Sequence, residues 1–116
     1  MFHTLSNTGS PGPTTKFTAS DVAQNLSTIF TNANGAPAIG ALVTIEDNKV
    51  RCTMGGNIVT PTYPPTQGAA GLGHELIAGQ SISLVSGRQV RTFQFINETT
   101  QSNAIIQVTP FFEVGA

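Results

Sequence analysis

The sequence predicts an all-β domain, a single β-sandwich or jelly-roll-like barrel with an extended N-terminal arm, on three observations. Short runs alternate apolar and polar residues with a period of two, the pattern of strands with one buried and one wet face. Ile82 and Leu84 alternate with Ser81 and Ser83; Val90, Thr92, Gln94 and Ile96 alternate with Arg91, Phe93 and Phe95; Ala104, Ile106 and Val108 alternate with Gln107 and Thr109. Gly and Pro punctuate these runs at intervals of roughly 8–12 residues, and no long helical stripe competes with them. The 116 residues fit one domain, which at this size buries roughly two-thirds of the surface its unfolded chain exposes.

The elements follow in order. Residues 1–13, MFHTLSNTGSPGP, offer only Phe2 and Leu5 as apolar anchors, so this segment is expected to be a flexible arm that orders by lying on a neighbour. The β domain then spans 14–116. Residues 14–18 read as a first strand, 19–24 as a short helical turn N-capped by Ser20, and 26–30 as a β-prone stretch. Residues 32–37, NANGAP, are loop chemistry, because Asn-Gly tolerates positive φ and Pro removes a donor. Residues 41–46 and 49–54 read as a hairpin turning at Asp47-Asn48. From Gly55 to Gly73 the composition shifts to Gly, Pro, Thr and Gln around Tyr63. A loop of that length is often an interaction element, with Tyr63 as its contact residue.

Composition limits what the surface can do. Charged residues make up 9% of the chain, against about 25% in an ordinary soluble domain. The surface must be covered mostly by Thr, Ser, Asn, Gln and Gly, and with few like charges to hold copies apart, self-association or docking on a partner is favoured. The net charge is −1. Lys16, Lys49, Arg51, Arg88 and Arg91 are scattered, so no nucleic-acid partner is expected. No basic segment followed by an apolar run opens the chain, and its apolar runs are far shorter than the ~20 residues a spanning helix needs; a soluble, unprocessed protein without a membrane partner is expected. The single cysteine, Cys52, rules out an intrachain disulfide and sits in a row with Val50 and Met54, where a buried core thiol is expected.

Chemistry-bearing motifs fail one by one. His74-Glu75 begins an HExxH pattern, but Ala78 stands where the second His belongs. Gly71-Leu72-Gly73 begins a dinucleotide fingerprint, but Leu76 replaces its third glycine and no βαβ unit surrounds it. Neighbouring residues of a strand point to opposite faces, so His74 and Glu75 are not a base with its orienting carboxylate. The expectation is a protein that is not an enzyme, with no catalytic, cofactor-binding or metal-binding residue and no cofactor. Asn25-Leu26-Ser27 and Asn97-Glu98-Thr99 match the N-glycosylation pattern by chance.

One resemblance gives the chain a setting. Val50-Arg51, Gly56, Pro61-Thr62, Gly73-His74, Leu76, Ala78-Gly79, Ile82, Leu84, Phe93, Phe95-Ile96, Ala104 and Val108 resemble a group of small tailed-phage virion proteins across residues 41–112. In that group a VR strand leads through a glycine and a Pro-Thr turn to a GHxLxAG segment, then to strands ending in FxFI and an apolar final strand. The resemblance implies a capsid decoration, or cement, protein on the surface of a phage head assembled in the host cytoplasm. Its partners would be the major capsid protein and copies of itself, as a trimer or dimer. The alternatives are a receptor- or glycan-binding fibre or tail-tip module and a tail or connector component. Phe2, Leu5, Tyr63, Phe111 and Phe112 are the expected interface residues. Two departures stand out: the 61–73 stretch is longer than the group's usual turn, and Pro110 is expected to interrupt the last strand before Phe111 and Phe112.

Overall fold

The computed structural model describes residues 9–54 and 64–114. Two antiparallel sheets pack face to face, and the 21 Å short axis is the thickness that two sheets about 10 Å apart give once outer side chains are added. Sheet I holds β1 (Ser10–Pro11), β2 (Thr15–Ala19), β4 (Ala38–Asp47), β7 (Ser81–Leu84) and β9 (Ala104–Phe112). Sheet II holds β3 (Gln24–Asn25), β5 (Lys49–Thr53), β6 (His74–Ile77) and β8 (Gln94–Asn97). In sheet I the order is β1-β9-β4-β7, with β2 also on β9; in sheet II it is β3-β8-β5-β6. From β2 to β5 the chain alternates between the sheets, and from β6 to β9 it does so again in reverse. Each sheet therefore interleaves strands from both halves of the chain, the connectivity of a jelly-roll-like sandwich.

The core is the set of inward positions that the period-two pattern marks. Val43, Ile45, Leu84, Ile106 and Val108 of sheet I meet Val50, Cys52 and Phe95 of sheet II, all 0–1% exposed. Each such Val, Leu or Phe stabilises the fold by about 1.5–3 kcal/mol relative to an exposed position. Phe17 stands edge-on to Phe95, with ring centroids 5.8 Å apart, and Phe93 lies 6.0 Å from Phe95. These rings tie the inner face of β2 to β8 across the sandwich.

Five local expectations change. First, residues 41–54 are not a hairpin: β4 pairs with β7 and β9, while β5 pairs with β6 and β8. Both sides of β4 are occupied, and Asn48, at φ 57°, redirects the chain from one sheet to the other in a single residue. Its side-chain Nδ2 donates to the Asn103 carbonyl at 2.6 Å, fastening the corner. Second, residues 19–24 form no helical turn. β2 runs to Ala19, and the Ser20 hydroxyl accepts from the Val22 N–H, two residues on, as in a turn. Third, the stretch at 26–30 is a 3-10 turn, Ser27–Ile29, that buries Leu26 and Ile29.

Fourth, the row from Val90 to Ile96 divides. Helix α1 (Gly87–Thr92) precedes β8. Ser86 is its N-cap, accepting from the Gln89 N–H at 3.2 Å, while the Gln89 side chain reaches back to accept from the Val85 N–H at 2.7 Å. The Ser-x-x-Gln spacing is that of a capping box, although the Gln89 side chain reaches one residue beyond the N-cap, to Val85; the two bonds satisfy backbone donors at the helix start and favour helix over strand. Fifth, β9 runs straight through Pro110, which sits opposite Ala41 of β4. The Pro110 carbonyl accepts from the Gly12 N–H at 2.8 Å. Strand residues carry N–H and C=O on one side, so the missing donor faces the gap between β1 and β2, and the ladder to β4 loses nothing.

Candidate interaction surface

Of the expected interface residues, Phe2, Leu5 and Tyr63 lie outside the described residues. Phe111 and Phe112 end β9, opposite Pro11 and Ser10, and are 5% and 7% exposed. Within one chain most of their surface is therefore covered. The described part of the expected arm, residues 9–13, lies on the chain's own β9 through β1 and the Gly12 to Pro110 bond. Gly12 makes that approach possible, because a Cβ there would stand 2.7 Å from the Phe112 ring. Beside this strap, Ile29, Thr31, Pro110 and Phe112 line a half-open groove of about 450 Å³.

The second half of the long loop, residues 64–73, is clamped to sheet II by Arg51. Its Nε donates to Glu98 Oε1 at 2.6 Å and to the Gly68 carbonyl at 3.1 Å. Its terminal nitrogens donate to the Gly73 carbonyl at 2.9 Å and the Ala69 carbonyl at 3.3 Å. The planar guanidinium satisfies a carboxylate and several carbonyls at once, which a lysine would not. The side chains of Arg51 and Glu98 are 12% and 8% exposed, so this ion pair is largely out of water. The exposed Lys49–Glu75 pair, at 3.9 Å, adds little.

A second polar knot holds the same loop. Asp21 Oδ1 accepts from the Gln67 and Asn97 side-chain amides and from the Gln101 N–H, each at 2.9 Å. The Gln101 N–H first, then the two amides, hold the Asp21 carboxyl below its ordinary value. Gln67 also donates to Asn97 Oδ1, and Asn97 is fully buried. No sequence motif announces either knot, because their members lie tens of residues apart: 47 separate Arg51 from Glu98 and 76 separate Asp21 from Asn97.

These knots make the two outer faces unlike. On sheet II the outward positions include Lys49, Arg51, Glu75, Gln94 and Ile96. Gln94 and Ile96 are nonetheless only 7% and 6% exposed, and Gly68, Ala69 and Gly73 are bonded on that face to Arg51, the residue opposite Ile96. On sheet I the outward positions are Thr18, Leu42, Thr44, Ser81, Ser83, Ile105, Gln107 and Thr109, exposed or half-buried. Among the described residues of this face, charge is carried by Lys16 on β2, opposite Gln107, and by the exposed Glu46 and Asp47 at the β-bulge that ends β4. The Thr14 and Thr109 hydroxyls bond each other at 2.6 Å, joining the segment before β2 to β9. The composition foretold a surface of uncharged polar residues; the register places Thr18, Thr44, Ser81, Ser83, Gln107 and Thr109 together on this face.

The groups that carry chemistry are dispersed. Cys52 is 1% exposed, and burial pushes its thiol up to about 11, the opposite of an activated nucleophile. His74 is exposed at the start of β6, opposite Cys52. Among the described residues, no three His, Cys, Asp or Glu side chains gather where they could hold a metal ion. No described helix is long and apolar enough to cross a membrane. The outer face of sheet I presents hydroxyls, amides and methyl groups of Thr18, Leu42, Thr44, Ile105, Gln107 and Thr109. No family model, curated protein or solved structure matches the chain.

Proposed function

We propose that this protein is a structural component of a phage particle, a capsid decoration protein that docks on the major capsid protein through the outer face of sheet I and strengthens the head by protein–protein contacts. The reading rests on the sequence resemblance for its setting. The observation that carries it is the contrast between the two faces. On one side lies a sheet surface whose middle is Leu42, Thr44, Gln107 and Thr109, with charge at Lys16 and at the Glu46–Asp47 end of β4, while Arg51 clamps a loop to the other. Uncharged positions in the middle of the face have little desolvation cost to meet when a partner covers them, and Thr, Gln and Ser supply hydrogen bonds across the contact. A capsid repeats one shallow surface many times, so a modest contact per copy suffices where several copies hold neighbouring subunits together. No catalytic step, cofactor or nucleic acid enters this role.

Reconstitution on capsids stripped of the protein tests it. Wild-type chain should bind and raise the temperature at which the capsid disassembles. Thr44→Lys and Gln107→Lys place an unpaired charge in the middle of the contact. Each should weaken capsid binding by about tenfold or more, a change of about 1.4 kcal/mol per decade, with the chain's own melting temperature unchanged. Full binding by both variants, or selective binding of the chain to glycans with none to capsids, would overturn the proposal.

A further inference from the structure

Among the described strands, β7 is the free edge of sheet I beside β4. Its pairing with β4 sets which backbone groups point outward. Pro110 directs its carbonyl toward Gly12, so Ala41 opposite it turns its own N–H and C=O toward β7. Ala41 faces Leu84 and Val43 faces Ile82, which makes these the hydrogen-bonded pairs, while Ser81 and Ser83 present N–H and C=O to the outside. Just beyond, the Val85 N–H is already held by Gln89, which closes the edge.

Exposed edges are ordinarily guarded by charge, proline or a bulge. The opposite margin of sheet I carries Pro11 in β1 and Lys16 in β2. The free edge of sheet II, β6, carries Glu75. In β7, Ser-Ile-Ser-Leu, there is no such guard. An antiparallel partner that is also β7 puts Ser81 of one copy opposite Ser83 of the other, so no like charges meet and the two pairs exchange their outward N–H and C=O groups. In that register Val85, 62% exposed, comes opposite Gly79; a Cβ placed on that glycine would meet nothing within 4 Å, so the valine has room.

We propose that two copies join about a two-fold axis through β7, forming one continuous sheet from both copies of sheet I. Opposite residues of paired strands point to the same face, so the two outer faces of sheet I lie side by side on one surface. This doubles the docking area and lets a dimer hold two capsid sites at once. The doubling rests on the proposed function; the dimer itself does not, and it is measured without any capsid.

Sedimentation equilibrium of the full chain tests the dimer. Wild type should sediment as a dimer. Ser83→Pro removes an outward N–H that does not join the ladder to β4, and Val85→Asp puts a charge at the edge without touching the core; each should weaken dimerisation at least about tenfold, with the β-sheet circular dichroism retained. Deleting residues 1–8 should leave the dimer intact. A monomeric wild type at about 100 μM, a dimer undiminished by Val85→Asp, or loss of the dimer on deleting residues 1–8 would overturn the pairing. Capsid binding that fails while the dimer persists would count against the docking role alone.

Discussion

Arg51 shows how one side chain can hold an irregular segment in place. Its guanidinium joins Glu98 and three loop carbonyls in a nearly dry site. Arg51→Ala leaves the Glu98 carboxylate buried without its partner and should lower stability by about 3 kcal/mol. Denaturant titration measures the loss, and limited proteolysis should show new cleavage within residues 64–73. Asp21 acts on the same loop through pH. Its carboxyl is held below the ordinary value near 3.8, so the unfolded chain takes up the proton first as pH falls. The stability it contributes is whole above about pH 4 and is lost as pH drops through the folded value. Melting temperatures measured from pH 5 downward should fall more steeply for wild type than for Asp21→Asn. Cys52 has the opposite sense. Its folded thiol titrates near 11, above the 9.0 of the exposed group, so stability should fall as pH rises from 9 toward 11, and the thiol should resist alkylation at pH 8 until the chain unfolds.

At the scale of elements, the strands whose inward residues repeat without interruption are the ones the sequence makes plain. Ala104, Ile106 and Val108 mark β9, and Val50 and Cys52 mark β5, because each inward residue enters a core that needs it. Sheet membership is less visible. Residues 41–54 look like a hairpin locally, yet Asn48 turns the chain into the other sheet, since the sides of β4 are taken by β7 and β9 from far along the chain. The corner should be sensitive: Asn48→Ala forces a Cβ-bearing residue without the Asn103 bond into positive φ and should cost about 1–2 kcal/mol in a denaturant titration, while Asn48→Gly should cost less. Helix α1 hides in an alternating row because it is six residues long, too short for a helical period to declare itself. Its signal is the cap, Ser86 with Gln89 three residues on. Ser86→Ala should destabilise the protein by about 1 kcal/mol, measured the same way.

Over the whole molecule, sequence alone reaches the fold class and the uncharged character of the surface, because both follow from summed composition and period. It does not reach the asymmetry of the two faces. That asymmetry needs Arg51, Glu98 and Asp21 to meet residues 64–73, and it needs the register that gathers Thr18, Thr44, Gln107 and Thr109 onto one sheet. Phe111 and Phe112 illustrate the same limit: expected at an interface, they are covered within the chain itself, where residues 9–13 lie along β9. The central claim is that this chain coats a phage head. Quantitative mass spectrometry of purified particles from the source that encodes the chain tests that proposal most directly. The account predicts a copy number in simple proportion to the major capsid protein; absence from the particle, or the few copies expected of a tail or connector part, would contradict it.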